Sequence, residues 1–261
     1  MLPSREVSGV HEAQTEPAPY LDEEDRVTEE HLMVGSLPVS AIGVQYEPVV
    51  CVESGETVGH EVSPTCDAEG LHGADDLFAR ALFEHRIGEL CRVLRDHALT
   101  GARGAPLFID VHAQELKEGL LIRPDDPMAL SESPLYLQLS QSTFSSVCMH
   151  VLEELRGRGE VALVIDGVGA GESNLLQLIE LSPRLVKLSP QLTAGFDRDA
   201  RRRAVVHHVS AMCASLGCGV VARDVKTRDE LAVLVDCGVS YVQGPLLGIA
   251  TDAPTAGTLP G

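Results

Sequence analysis

Residues 161–188 read V-A-L-V-I-D-G-V-G-A-G-E-S-N-L-L-Q-L-I-E-L-S-P-R-L-V-K-L. Val161–Ile165 is an apolar, β-branched run that ends in Asp166, and Leu185–Leu188 is a second such run carrying Lys187. Between them Asn174–Leu181 has helical spacing, and glycines punctuate the turn after Asp166. Strand, helix and strand in under thirty residues is a βα unit, which feeds a parallel sheet. The pattern continues in both directions. Upstream, Ile42–Val52 and Thr57–Val62 read as strands joined by the tight turn Glu53-Ser-Gly-Glu56. Asp75–His97 follows with helical periodicity, then strands Leu107–Val111 and Pro134–Leu139 and a helix over Thr143–Arg156. Downstream come a helix over Arg198–Leu216, strand Gly219–Ala222, helix Arg228–Val235 and strand Tyr241–Gln243. This count and spacing predict an α/β fold closed as a (β/α)8 barrel rather than an open sheet.

In such a barrel the chemistry sits at the C-terminal strand ends. Glu61, Asp110, Gln138, Asp166, Lys187, Arg223 and Gln243 each close an apolar run and are the candidate site residues.

The chain has 261 residues, 44% hydrophobic and 23% charged, with a net charge of -19. That size suits one barrel domain with a self-sufficient core. The acidic excess repels polyanions and argues against nucleic acid as a partner. Seven cysteines with no C-x-x-C pair read as reduced, mostly buried thiols of a cytoplasmic protein. No apolar stretch has membrane-spanning length. Residues 1–35 carry Glu6, Glu12, Glu16, Asp22–Asp25, Glu29 and Glu30 against Arg5 and Arg26, a composition that predicts disorder, with a helical lead-in over Val27–Val34. The domain is placed at 36–250, and 251–261 reads as a flexible tail.

Eight segments in order resemble the EAL-domain family. Tyr46-Glu-Pro-Val-Val50 is similar to its Y-Q-P-I-V strand, and Gly59-His-Glu-Val-Ser-Pro-Thr65 to the G-Y-E-A-L-L-R signature. Leu107-Phe-Ile-Asp110-Val resembles L-x-x-N-[LV], and Leu135-Tyr-Leu-Gln138-Leu-Ser-Gln-Ser142 resembles L-x-L-E-I-T-E-S. Asp166-Gly-Val-Gly-Ala-Gly-Glu-Ser-Asn-Leu175 parallels D-D-F-G-T-G-Y-S-S-L, and Val186-Lys-Leu-Ser189 parallels I-K-I-D. Ala222-Arg-Asp-Val-Lys-Thr227 parallels A-E-G-V-E-T, and Tyr241-Val-Gln-Gly-Pro-Leu-Leu-Gly248 parallels V-Q-G-Y-L-F-G.

The resemblance implies a modified (β/α)8 TIM-type barrel and an ancestral opening of cyclic di-GMP to linear pGpG with two Mg²⁺ or Mn²⁺. It implies metal ligands at Glu61 and Asp166, Lys187 beside the attacking water, and Gln243. Asp110 stands for an asparagine. Three positions depart: Gln138 replaces a carboxylate, Gly167 the second aspartate, and Arg223 a glutamate. Glu61, Asp110 and Asp166 against Lys187 and Arg223 leave -1, where the family pattern leaves roughly -4 for two divalent ions to neutralise. The expectation is therefore a catalytically inactive domain without metals, or at most one weak site at Glu61, Asp110 and Asp166, with Arg223 paired to the carboxylates. Such a domain would be a regulatory or protein-binding module, with protein partners and a possible homodimer. The alternatives are a metal-independent cyclic di-GMP receptor using Glu47, Glu61, Asp166, Lys187, Arg223 and Gln243, or a weak phosphodiesterase with Mg²⁺ or Mn²⁺. Ser63 and Thr65 stand where the resemblance places the ligand's leucine and its phosphate-binding arginine.

Overall fold

The computed structural model describes residues 37–68, 70–140, 143, 149–158, 161–170 and 176–260. The acidic segment 1–35, its lead-in Val27–Val34, Gln141-Ser142 and Gly171–Leu175 lie outside the described residues.

The apolar runs form strands, the later ones largely buried on both faces, as in a sheet enclosed by helices. β1 (Ile42–Cys51) and β2 (Thr57–Cys66) form an antiparallel hairpin, turned at Gly55 with φ 71°. β3 (Leu107–Asp110), β4 (Leu135–Ser140), β5 (Val161–Val168), β6 (Leu185–Leu188), β7 (Gly219–Ala222) and β8 (Tyr241–Val242) follow, each parallel to the strand before it. β8 pairs antiparallel with β1, closing the barrel in the order β1 to β8. The modification to the usual all-parallel barrel is thus the reversed first strand.

Helices α1 (Ala74–Phe83), α2 (Ile87–Ala102), α3 (Ala113–Lys117), α4 (Met149–Gly157), α5 (Leu176–Leu181), α6 (Pro190–Thr193), α7 (Ala200–Ser215) and α8 (Arg228–Asp236) complete the fold. α7 starts where Asp199 accepts from the Arg201 and Arg202 N–H groups, and α8 where Thr227 and Glu230 form a capping box. The helical run expected over Asp75–His97 is broken in two. His85 adopts a left-handed backbone, φ 56°, between α1 and α2, and apolar periodicity alone does not reveal such a break.

Residues 251–260, expected to be a flexible tail, run along β1 and β2 in specific contacts. β8 is only two residues long, so Tyr46 in β1 pairs instead with Thr251, through N–H···O bonds of 2.8 and 3.1 Å. The ring of His60 then meets the Thr255 carbonyl at 2.9 Å, and the Gly257 N–H donates to Thr57 Oγ1 at 2.9 Å. Composition registers the Pro, Gly and Thr of this segment but not the ladder groups that it satisfies.

Candidate functional site

Side chains alternate across a strand, so the register fixes which residues share a face. Phe108, Val164, Leu185 and Val221 form an apolar cluster with Val49 inside the barrel, and Phe108 stacks on Tyr136 with ring centroids 4.3 Å apart. Gly59 makes room for this stack, because a Cβ there would lie 2.9 Å from the Phe108 ring. Two residues further toward the mouth, the same alternation sets Glu61, Asp110, Gln138, Asp166, Lys187, Arg223 and Gln243 in a polar layer. Glu47 joins it from β1, directly opposite Glu61. The structure therefore brings every candidate site residue together. The aromatic floor escaped the reading of the sequence, although Phe108 lies two positions before Asp110, a period-2 signal that could have found it.

Glu61 is the hub. It is buried, and Lys187, fully enclosed above the Phe108 ring, places Nζ 2.7 Å from Oε2. Arg223 approaches Oε1 at 3.4 Å with one nitrogen and holds Asp166 with the other, at 3.1 and 3.0 Å to its two oxygens. Burial alone would raise the Glu61 carboxyl, but Lys187 and Arg223 overcome it and hold it at about 2. The pairing anticipated for Arg223 is thus present and joins two carboxylates.

Gln138 knits the far side. Its Oε1 accepts from Lys187 Nζ at 2.7 Å, and its Nε2 donates to Asp110 Oδ1 at 3.0 Å and to Glu61 Oε1 at 3.4 Å. Asp110 and Gln138 are register partners on adjacent strands. Where the family pattern has an amide on β3 and a carboxylate on β4, this chain has the carboxylate on β3 and the amide on β4. The pair is exchanged rather than lost. Asp110 reaches water at the mouth, yet crowding by the barrel wall, with the Glu61 charge adding, raises its carboxyl to about 6.

Glu47 accepts from Gln243 Nε2, and its carboxyl is raised by burial and then by Glu61. Counting Glu47, four carboxylates against two cations leave the layer at -2 rather than the -1 read from the sequence. Gln243 Oε1 is buried with no hydrogen-bond partner.

Hard divalent ions need several oxygens converging on one point. Both Glu61 oxygens and both Asp166 oxygens instead face the nitrogens of Lys187 and Arg223. Gly167, at φ 82°, offers no side chain where the second aspartate is expected. Among the described residues no group of three or more His, Cys, Asp or Glu side chains is arranged to hold a metal. The residues present therefore do not fit a divalent pair. The single weak site considered at Glu61, Asp110 and Asp166 is interrupted by the guanidinium between Glu61 and Asp166.

Away from this layer, His207 and His208 on α7 are both exposed, with their rings edge-on at 5.6 Å. Arg202 and Arg203 bond to the carbonyls of Gln191, Ala194 and Asp197, which seats α7 on the chain before it.

A closed eight-stranded α/β barrel with one reversed strand and a charged layer at its strand ends defines the class. The family described as "EAL domain" matches residues 39–249, and the chain belongs to that family. The Escherichia coli (strain K12) protein named "Probable cyclic di-GMP phosphodiesterase PdeD" is 29% identical over 142 residues, 53% of this chain and 26% of that protein. The chain thus spans only about a quarter of that relative. Klebsiella pneumoniae BlrP1, solved as a manganese/cy-diGMP complex, superposes with a TM-score of 0.72 at 23% identity, covering 84% of this chain and 58% of the other. The PaMucR phosphodiesterase in complex with c-di-GMP gives a TM-score of 0.72 at 23% identity, covering 82% and 98%. Among the described residues no helix is long and apolar enough to cross a membrane.

Proposed function

We propose that this EAL domain serves cyclic di-GMP signalling as a catalytically inactive regulatory or protein-binding module. The observation that carries this reading is Arg223, whose guanidinium bridges Asp166 and Glu61. A metal-dependent phosphodiesterase uses cations to activate water and to neutralise charge building on phosphorus. Here the two carboxylates implied as ligands are already neutralised by side chains, and a divalent ion would have to displace a guanidinium shared between them. The domain would act through protein partners in the cytoplasm, with or without homodimerisation. No nucleic acid partner is proposed, given the net charge of -19.

A second reading, a metal-independent cyclic di-GMP receptor, draws on the same arginine. The Arg223 side chain is 30% exposed and has reach toward the mouth, where a phosphate could meet it. Against it, Thr65 replaces the arginine that the resemblance assigns to a phosphate, a charge-assisted contact of about 1.5–3 kcal/mol. Glu47 adds repulsion on the neighbouring strand. Together these cost a hundredfold or more in affinity, at about 1.4 kcal/mol per tenfold.

Calorimetry with cyclic di-GMP, with and without Mn²⁺, separates the readings. The module gives no heat in either condition. Metal-independent heat supports the receptor. Metal-dependent heat with pGpG accumulating would establish a weak phosphodiesterase and defeat the proposal.

A further inference from the structure

At the opposite end of the barrel, α7 ends in a backbone motif that brings two cysteines together. The Cys218 N–H donates to the Cys213 carbonyl at 2.9 Å, and the Gly217 N–H to that of Ala214 at 3.1 Å. Gly217 has φ 75°. This nested pair of bonds around a left-handed glycine is a Schellman ending, in which the third-from-last helical residue and the second residue past the cap touch. Those two residues are Cys213 and Cys218. The contact is usually made by apolar side chains; here both positions are cysteines. Cys218 Sγ also donates to the Cys213 carbonyl at 3.3 Å. Both residues are buried, at 0% and 5% exposure, within the main core cluster. Among the other described cysteines, Cys51 and Cys66 are half-buried, and Cys91 and Cys237 are buried, Cys237 in the same cluster.

We propose that Cys213 and Cys218 form a redox-sensitive dithiol that a peroxide converts into an intrachain disulfide, stapling the end of α7 to the start of β7. The Cys218 thiolate attacks one peroxide oxygen and the O–O bond breaks. Hydroxide leaves and is protonated to water, so Cys218 becomes a sulfenic acid. The Cys213 sulfur then attacks that sulfur, the S–O bond breaks, and the Cys213 proton leaves with the hydroxide as a second water. Two thiols and one peroxide give one disulfide and two waters. The order of events follows from the pairing: the neighbouring Cys213 lowers the Cys218 thiol, and its own is raised by Cys218 and by burial. Water-sized peroxide suits so enclosed a pair better than a bulky disulfide oxidant.

The test uses the full chain, folded, exposed to hydrogen peroxide, quenched, then unfolded in an alkylating agent and cleaved with trypsin. Peptide Ala204–Arg223 contains both cysteines. The expected result is that most of this peptide runs two hydrogens lighter, escapes alkylation, and takes up two alkyl groups after reduction. In Cys213→Ser the lighter peptide should be absent, with oxygen added at Cys218 instead. The proposal is overturned if the wild-type peptide keeps both thiols alkylatable while Cys51 and Cys66 oxidise. It is equally overturned if Cys218 passes to the sulfinic acid and leaves Cys213 free.

Discussion

Two arginines in this molecule hold two carboxylates each, in opposite surroundings. Arg95 on α2 pairs with Glu115 of α3, and at 2.6 Å with Asp126, and all three residues are 3% exposed or less. Glu115 and Asp126 also cap their own turns, accepting from the His112 and Met128 backbone N–H groups. This triad ties α2 to the two segments that follow β3 and has no open side. Arg223 holds Asp166 and Glu61 at the barrel mouth, 30% exposed, and Glu61 has a second cation in Lys187. The outer cluster is closed, with one cation serving two anions. The inner one is open and doubly supplied. Closure makes a charge cluster a structural fixture, whereas an open edge leaves room for a ligand or for exchange of partners.

The comparison is broken most severely at Arg95. Arg95→Ala leaves two buried carboxylates without a cation and should cost about 3–5 kcal/mol in denaturant unfolding. A loss under about 1 kcal/mol would show that the triad is hydrated. The acid limb comes next. Glu61 is held well below its ordinary value, so the unfolded chain binds its proton first as pH falls. Its stabilising contribution is complete above pH 4.5 and is lost as pH drops toward about 2. Between pH 5 and 2.5 the wild type should lose about 2–3 kcal/mol more than Glu61→Gln, read from urea unfolding at each pH. Parallel acid limbs would place the Glu61 carboxylate outside the ion cluster.

Arg223→Ala should cost only about 1 kcal/mol, because Lys187 remains and water reaches the mouth. The sharper readout is an upward move of the Glu61-dependent acid limb. Smallest is Asp110→Asn. The raised Asp110 carboxyl makes the ionised folded state unfavourable above about pH 6, a penalty relieved as pH falls through 6 toward 3.8. Asparagine should therefore add up to about 1 kcal/mol at pH 8, after solvent screening, and nothing at pH 3.

The barrel was legible because each apolar run ends in a polar residue, and period-2 alternation carries those residues to one layer. All of the layer but Glu47 followed from those strand ends alone. The Asp110–Gln138 exchange did not, because each looks like an isolated substitution until register sets them side by side. Glu47 read as a strand residue of the resemblance, and its weight in the charge count came only from the pairing of β1 with β2. The Arg95 triad joins residues 20 and 31 apart, with no periodicity to announce it. The packed tail was hidden because its partners lie some 200 residues away.

Nitrogen cations occupy the carboxylate oxygens that a divalent pair would need. Titrating the protein with Mn²⁺ and following the free-ion electron paramagnetic resonance signal tests this with no dinucleotide present. The expected result is no binding tighter than about millimolar, with the signal rising as in buffer. Uptake of two equivalents at micromolar Mn²⁺ would show that these oxygens remain open to divalent ions.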